Sequence, residues 1–340
     1  MREALALTYR PKTFEDLTEQ GSVVKILTYM IENKCFPNVM LFCGSAGCGK
    51  TTSARVMANY INHGEGIPIE IDAASNNSVE DIRRISEEAK FRSLDSEYKV
   101  YILDEVHSLS SAAWQASLKL FEEPPEKTIF FLCTTDPQKI PNTILSRVQR
   151  FEFTKITYEG ILNRLKYVIG EEVKKGNDIT YTEDSLAYIA KIANGGMRDA
   201  LTNLDKCLNY STNLTVDSVI AALGIQGYEV LFELTNGIIN KDTEKVISII
   251  EDTFLSGKDL KQFVKDYLEF LLDLCKFSIV YNWDFIKIPR TYERDIKRID
   301  SPELVNFIRN KIMQINLLIK WESNPKILLE CGLLDMVNEL

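Results

Sequence analysis

The chain has 340 residues, 45% hydrophobic and 26% charged, which fits two or three domains of about 100–150 residues each. No apolar run reaches the roughly 18 residues of a membrane span, and MREALALTYRPKTFEDL turns polar too early for a secretory leader, so a cytoplasmic protein with no membrane partner is expected. A net charge of −9 argues against whole-surface attraction to nucleic acid and leaves local basic patches for phosphate contact.

Across the first 150 residues, short apolar runs alternate with helix-period segments. The strand candidates are VMLFC (39–43), IEID (69–72), KVYILD (99–104), TIFFLCT (128–134) and QRFEF (149–153). Between them KTTSARVMANYIN, SVEDIRRISEEAKF and SAAWQASLKLFEEPP are each long enough for a crossover helix. Ser78 followed by Asp81 gives the second helix a capping-box-like start, and Ile82, Ile85 and Ala89 form its apolar face. The double proline at 124–125 stops the third. Strands alternating with helices predict a parallel sheet covered on both faces.

From about residue 157 the strand signals end and helical periodicity continues, with breaks near EEVKKGND, ANGGM, ALGIQG, LSGK and NWDFIKIP. The expected division is an α/β domain over 1–154, a small helical domain over 155–224 and a larger helical domain over 225–340. The seven cysteines, at 35, 43, 48, 133, 207, 275 and 331, form no C-x-x-C pair, so buried free thiols in a reducing compartment are expected. His63 and His107 are the only histidines, too few for a histidine-built metal site.

GSAGCGKT (Gly44, Ser45, Ala46, Gly47, Cys48, Gly49, Lys50, Thr51, with Thr52 following) fits G-x-x-x-x-G-K-[ST] between a strand and a helix. Glycines there let backbone N–H groups wrap phosphate oxygens, and the helix N-terminus adds positive potential. Lys50 is expected to reach the β- and γ-phosphates of ATP and Thr51 to bind Mg²⁺. KVYILDEVHSL then delivers Asp104 and Glu105 at the end of a strand, Asp104 for the metal through water and Glu105 to orient the attacking water. Thr134 and Thr135 end the next strand in FFLCTTDPQKIP, where a polar residue could touch the γ-phosphate or simply open a Thr-Asp-Pro turn.

In chain order, YRPKTFEDL, GSAGCGKT, LDEVH, LFEEPPE, TTDPQKIPNTILSR and GGMRDAL resemble the gamma/tau-type ATPase subunits of the bacterial DNA polymerase III clamp loader, relatives of the replication-factor-C small subunits within the AAA+ superfamily. The resemblance covers about residues 4–225. It implies an AAA+ P-loop domain, a helical lid and an all-helical collar that oligomerises. It makes Arg147 of ILSR an arginine finger acting in trans on ATP held by a neighbouring subunit, Thr135 the sensor-1 residue and Arg198 the sensor-2 residue touching its own γ-phosphate. Ala6, Arg10, Pro11 and Thr18 fall where the family lines its adenine pocket.

The implied partners are a sliding clamp, primer–template DNA bound without sequence preference, and other clamp-loader subunits in a pentameric ring. Ser108, Leu109, Ser110, Ser111 and Ala112 are the candidate clamp contacts, whereas Trp114, Leu118 and Phe121 are a core stripe. Asn76, Asn77, Arg83 and Arg84 are the candidate DNA contacts, weighed evenly against a solvated helix face. The family's four-cysteine zinc module has no counterpart in NYINHGEGIPIEIDAAS, so no zinc is expected. Val148 stands for the Cys of Ser-Arg-Cys, LTEQ stands where VVGQ is usual, and the long form's tether beyond the collar is expected to be missing. A helicase loader or branch-migration motor, and a scaffold that binds ATP without hydrolysing it, are the alternatives.

Overall fold

The five apolar runs become the five strands of one parallel sheet: β1 (Val39–Gly44), β2 (Ile69–Asp72), β3 (Lys99–Asp104), β4 (Thr128–Thr134) and β5 (Gln149–Phe153), in the order β2-β3-β4-β1-β5. This is a computed structural model that describes residues 3–299 and 301–340. It divides into two units, Met1–Lys175 with Ala193–Asp205, and Gly176–Ile192 with Lys206–Leu340.

The helices of the first unit are α1 (Leu5–Thr8), α2 (Gly21–Glu32), α3 (Lys50–Ile61), α4 (Val79–Ala89), α5 (Ser111–Glu122), α6 (Asn142–Leu145) and α7 (Tyr158–Lys174), with a one-turn 3₁₀ segment at Val106–Ser108. β4 is buried along its whole length and β1 and β3 nearly so, because helices cover both faces; that is why these strands read as unbroken apolar runs. Alternate residues still point to opposite faces. Met40, Phe42, Ile102 and Phe131 pack with Val23, Leu27, Ala54 and Met57 on one side. Leu41, Tyr101, Leu103 and Phe130 pack with Ile82, Ile85, Trp114 and Phe121 on the other. Each fully buried Phe contributes about 1.5–3 kcal/mol of transfer free energy, enough to hold the sheet without covalent links.

Local chemistry sets the helix ends. Ser78 and Asp81 form the reciprocal capping box of α4. Ser110 caps α5 by accepting from the Ala113 N–H, and α5 ends at Glu122 before the two prolines. Trp114 and Phe121 are buried and Leu118 packs against the same cluster, so that stripe is core.

The second unit holds α8 (Glu183–Ile192), the end of α9 (Met197–Tyr210), α10 (Val216–Leu223), α11 (Tyr228–Ile239), α12 (Thr243–Leu255), α13 (Leu260–Val280), α14 (Glu293–Arg298), α15 (Pro302–Leu318) and α16 (Pro325–Glu339). Asp242 and Asp259 cap α12 and α13, and prolines open α15 and α16. Strand pairing does not end at residue 157: β6 (Thr180–Tyr181) and β7 (Asn213–Leu214) form a parallel pair too short to leave a periodic signal. Among the described residues no helix is long and apolar enough to cross a membrane. The thiols are not uniformly buried. Cys43, Cys48, Cys133 and Cys207 are, Cys275 is half-covered, and Cys35 and Cys331 are exposed.

Candidate functional site

β1 ends at Gly44 and the chain turns through 45–49 into α3 at Lys50. Gly49, before the first helical residue, has φ 106°, and Gly47 has φ 70°, conformations a side chain would oppose. Gly47 is also crowded: a Cβ there would lie 3.1 Å from Cα of Gly196. The Met197 N–H donates to the Gly47 carbonyl at 3.0 Å, so the start of α9 is seated on the glycine-rich loop within the first unit. Gly47→Ala is therefore expected to cost roughly 1–2 kcal/mol from the positive φ alone and to weaken binding of an ATP analogue. Thermal melting and fluorescence titration check it; wild-type values in both would show that the loop relaxes freely.

Lys50 is buried, and its Nζ donates to the carbonyl oxygens of Gly44 and Ser45, both at 2.9 Å. Thr51 Oγ1 donates to Asp104 Oδ2 at 2.8 Å, which brings the loop's hydroxyl and the β3 carboxylate to one point. Register explains this meeting, because β4 lies between β1 and β3 and all three end on the same side of the sheet. Asp104 Oδ1 accepts the Glu105 N–H at 3.0 Å. Glu105 itself is left-handed, φ 49° and ψ 42°, and its Oε2 accepts from Thr135 Oγ1 at 3.0 Å. Its second neighbour is His107, with Nδ1 at 3.2 Å from the same oxygen.

A cavity of about 500 Å³ is lined by Ala46 to Thr52, Asp104, Glu105 and Arg198, and also by Ala6, Arg10, Pro11 and Thr18. Apart from Gly44 and Ser45, the expected phosphate, metal and adenine residues thus share one space, all within the first unit. Arg10 donates through Nε to Thr52 Oγ1 at 3.2 Å. Burial, then the positive charge of Arg55 and more weakly that of Arg198, push the Arg10 guanidinium below its ordinary value while it remains a cation. A polyphosphate would offset that crowding of positive charge. Burial pushes the Cys48 thiol up, leaving it a protonated packing group within the loop.

Arg55, Glu70 and Arg164 are lining residues with no sequence signal. Arg55 pairs with Glu70, and Arg164 of α7 donates to the Tyr9 carbonyl at 3.0 Å; each pairing spans a distance in the chain that no periodicity records. Gly44 and Ser45 do not line the cavity; their carbonyls hold the Lys50 ammonium.

Arg147 does not line the cavity. It follows α6, its side chain is 42% exposed, and it is held by Glu122 Oε1 at 2.7 Å, the Thr143 carbonyl and Ser146 Oγ. Of the surface candidates, Leu109 is corrected: it is 7% exposed and packs in the core under α4 and α5, because the 3₁₀ turn directs it inward. Ser110, Ser111 and Ala112 are exposed and Ser108 half-buried, with Ser110 Oγ engaged as the α5 cap. Arg83 and Arg84 project from the exposed side of α4, Arg84 within 3.4 Å of Asp81. Asn77 is exposed, and half-buried Asn76 donates to the Asp72 carbonyl at 3.0 Å.

Backbone N–H groups at a helix N-terminus, a buried lysine, two hard-oxygen donors and a strand-end carboxylate together suit a nucleoside triphosphate with its divalent cation. Thr51 and Asp104, already in contact, are the donor set that fits Mg²⁺.

A family described as DNA polymerase III, delta subunit, matches residues 69–157. The DNA polymerase III subunit tau of Bacillus subtilis is 33% identical over 362 aligned positions, covering 98% of this chain. The chain spans 63% of that relative's length. The DNA polymerase III subunit gamma of Buchnera aphidicola from Schizaphis graminum is 30% identical, with 99% of each chain covered. Among solved structures, the Thermotoga maritima RuvB Holliday junction branch migration motor aligns with a TM-score of 0.51 at 19% identity, over 68% of this chain and 79% of that one. That likeness concerns the fold alone: a five-stranded parallel sheet with its flanking helices, followed here by further helices.

Proposed function

This chain belongs to the gamma/tau family of DNA polymerase III subunits, and on that premise we propose that it is the ATP-hydrolysing motor of a sliding-clamp loader. The observation that carries the reading is the convergence of Lys50, Thr51, Asp104 and Glu105 on one cavity, with Arg147 held outside it. In this reading the backbone of residues 44–49 and the Lys50 ammonium hold the β- and γ-phosphates, and Thr51 and Asp104 hold Mg²⁺, which neutralises phosphate charge when bound. Glu105 orients the attacking water, Thr135 steadies Glu105, and Arg198 touches the γ-phosphate from the same chain. Arg147 reaches ATP on the next subunit, so each active centre is completed only by assembly.

The parts divide in this reading as an AAA+ domain over 1–154, a lid over 155–224 and a collar over 225–340. Clamp contact falls to Ser108, Ser110, Ser111 and Ala112, and phosphate contact with primer–template DNA to Asn76, Asn77, Arg83 and Arg84. Such contacts position a duplex and read no sequence.

The test is the mass of the assembly formed with ATP, a sliding clamp, primed DNA and partner subunits, measured beside ATP turnover. A five-subunit complex holding one clamp, with turnover stimulated jointly by clamp and primed DNA, is the expected result. Turnover stimulated by primed DNA but indifferent to any clamp would favour a helicase loader or branch-migration motor. ATP binding with no turnover under any condition would favour a scaffold.

A further inference from the structure

We propose that His107 is a positioning residue that aims the Glu105 carboxylate, an inference that rests on Glu105 orienting the attacking water. The geometry begins in the backbone. Glu105 is a non-glycine residue in the left-handed region, and such a conformation costs of order 1–3 kcal/mol and persists only where its surroundings over-determine it. Directly after it the chain closes a 3₁₀ turn, with the Ser108 N–H donating to the Glu105 carbonyl at 2.9 Å and the Leu109 N–H to the Val106 carbonyl at 3.1 Å. Val106 and Leu109 are buried, which anchors the turn in the core. His107 is thereby carried back alongside Glu105, with its side chain only 19% exposed.

Hydrogen-bond bookkeeping then assigns the ring. Nδ1 lies 3.2 Å from Glu105 Oε2 and 3.2 Å from Thr134 Oγ1. Thr134 Oγ1 already accepts the Asp136 N–H at 3.0 Å and has a second lone pair to offer. A bare Nδ1 lone pair would be repelled by an ionised carboxylate 3.2 Å away, so we place the proton on Nδ1, hydrogen-bonded to Thr134 Oγ1 and facing Glu105 Oε2. Glu105 Oε2 therefore accepts the Thr135 hydroxyl at 3.0 Å and lies against the polar edge of the ring, with His107 Nδ1 at 3.2 Å. The Thr135 donor alone would let the carboxylate turn about its last bond; the ring edge against the same oxygen restricts that rotation. Oε1, with no protein partner among the described residues, is left for a water in the cavity that Glu105 lines.

The contribution is one of aim, because His107 does not line the cavity. Misplacing a reacting group by about 1 Å can cost on the order of 100-fold in rate. His107→Ala is expected to lower kcat for ATP by roughly 10- to 100-fold while leaving KM within about twofold, the split that marks loss of a transition-state interaction. His107→Asn, whose amide N–H can take the place of Nδ1–H, is expected to recover most of the rate. His107→Gln, whose longer side chain carries its amide to the position of Nε2, is not.

All variants are measured as the full chain in the assembly with its partners, beside Glu105→Gln and the double variant, with melting curves as a check on folding. If His107 acts through Glu105, adding His107→Ala to Glu105→Gln lowers turnover no further. Should Glu105→Gln keep wild-type turnover, the reading of Glu105 itself is wrong. Should Glu105→Gln abolish turnover while His107→Ala keeps the full rate, the inference about His107 alone is overturned. A folded His107→Asn variant as slow as His107→Ala, or equal loss with Asn and Gln, overturns it too. Were His107→Ala to fail to fold, the Asn and Gln pair decides the matter.

Discussion

Arg147→Ala is expected to leave ATP binding by its own chain within about twofold of normal and to lower assembly-dependent hydrolysis by about 10³-fold or more. The side chain lies outside the cavity that holds Lys50, Thr51 and Glu105, so its removal deletes no contact in its own site. Nor should the fold suffer, because the tie to Glu122 is half-exposed on both sides and a pair of that kind is worth about 1 kcal/mol at most. In the proposed assembly the same weakness would let the guanidinium exchange Glu122 for a neighbour's triphosphate, whose several negative charges attract it more strongly than one carboxylate. Mixing Arg147→Ala with Lys50→Ala discriminates the two directions of service. In mixed assemblies an intact Arg147 on the Lys50 variant can face an intact phosphate site on the other chain, and part of the activity should return. No recovery at any mixing ratio would place Arg147 in its own site or in a structural role.

For Glu105→Gln the expected result is retained ATP affinity with turnover reduced about 10²- to 10⁴-fold, the range typical of losing a positioned proton acceptor. The amide is nearly isosteric, so its oxygen can still accept from Thr135 and the cavity keeps its shape. In the proposed role, what disappears is the negative charge with which the free oxygen would hold a water for attack. Equilibrium binding and phosphate release, measured on the same preparation, separate the two quantities. Unchanged phosphate release would remove Glu105 from its assigned role.

The sheet was legible in the sequence because burial on both faces leaves unbroken apolar runs such as TIFFLCT, and the loop–helix at GSAGCGKT was legible because its chemistry is local. The Ser78–Asp81 cap is local in the same way. Side-chain pairings made across the fold were not legible. Thr135 meets Glu105 and Arg147 meets Glu122 only because strand ends and helix ends converge, and neither spacing recurs as a period. His107 was set aside as a lone histidine, since nothing in DEVH announces that Glu105 turns left-handed and folds the ring back. Leu109 failed for the opposite reason: a polar neighbourhood, SLSS, disguised a side chain that the turn directs into the core.

The uneven cover over the thiols has a practical consequence. The thiolate is the reactive form, and burial pushes the thiols of Cys43, Cys48, Cys133, Cys207 and Cys275 up. Cys35 belongs to the first unit and Cys331 to the second, and both are open to reagent. A single nitroxide compound would therefore put one spin label on each unit without any substitution. Dipolar spectroscopy could then follow the separation of the two labels as ATP, and afterwards primed DNA, is added.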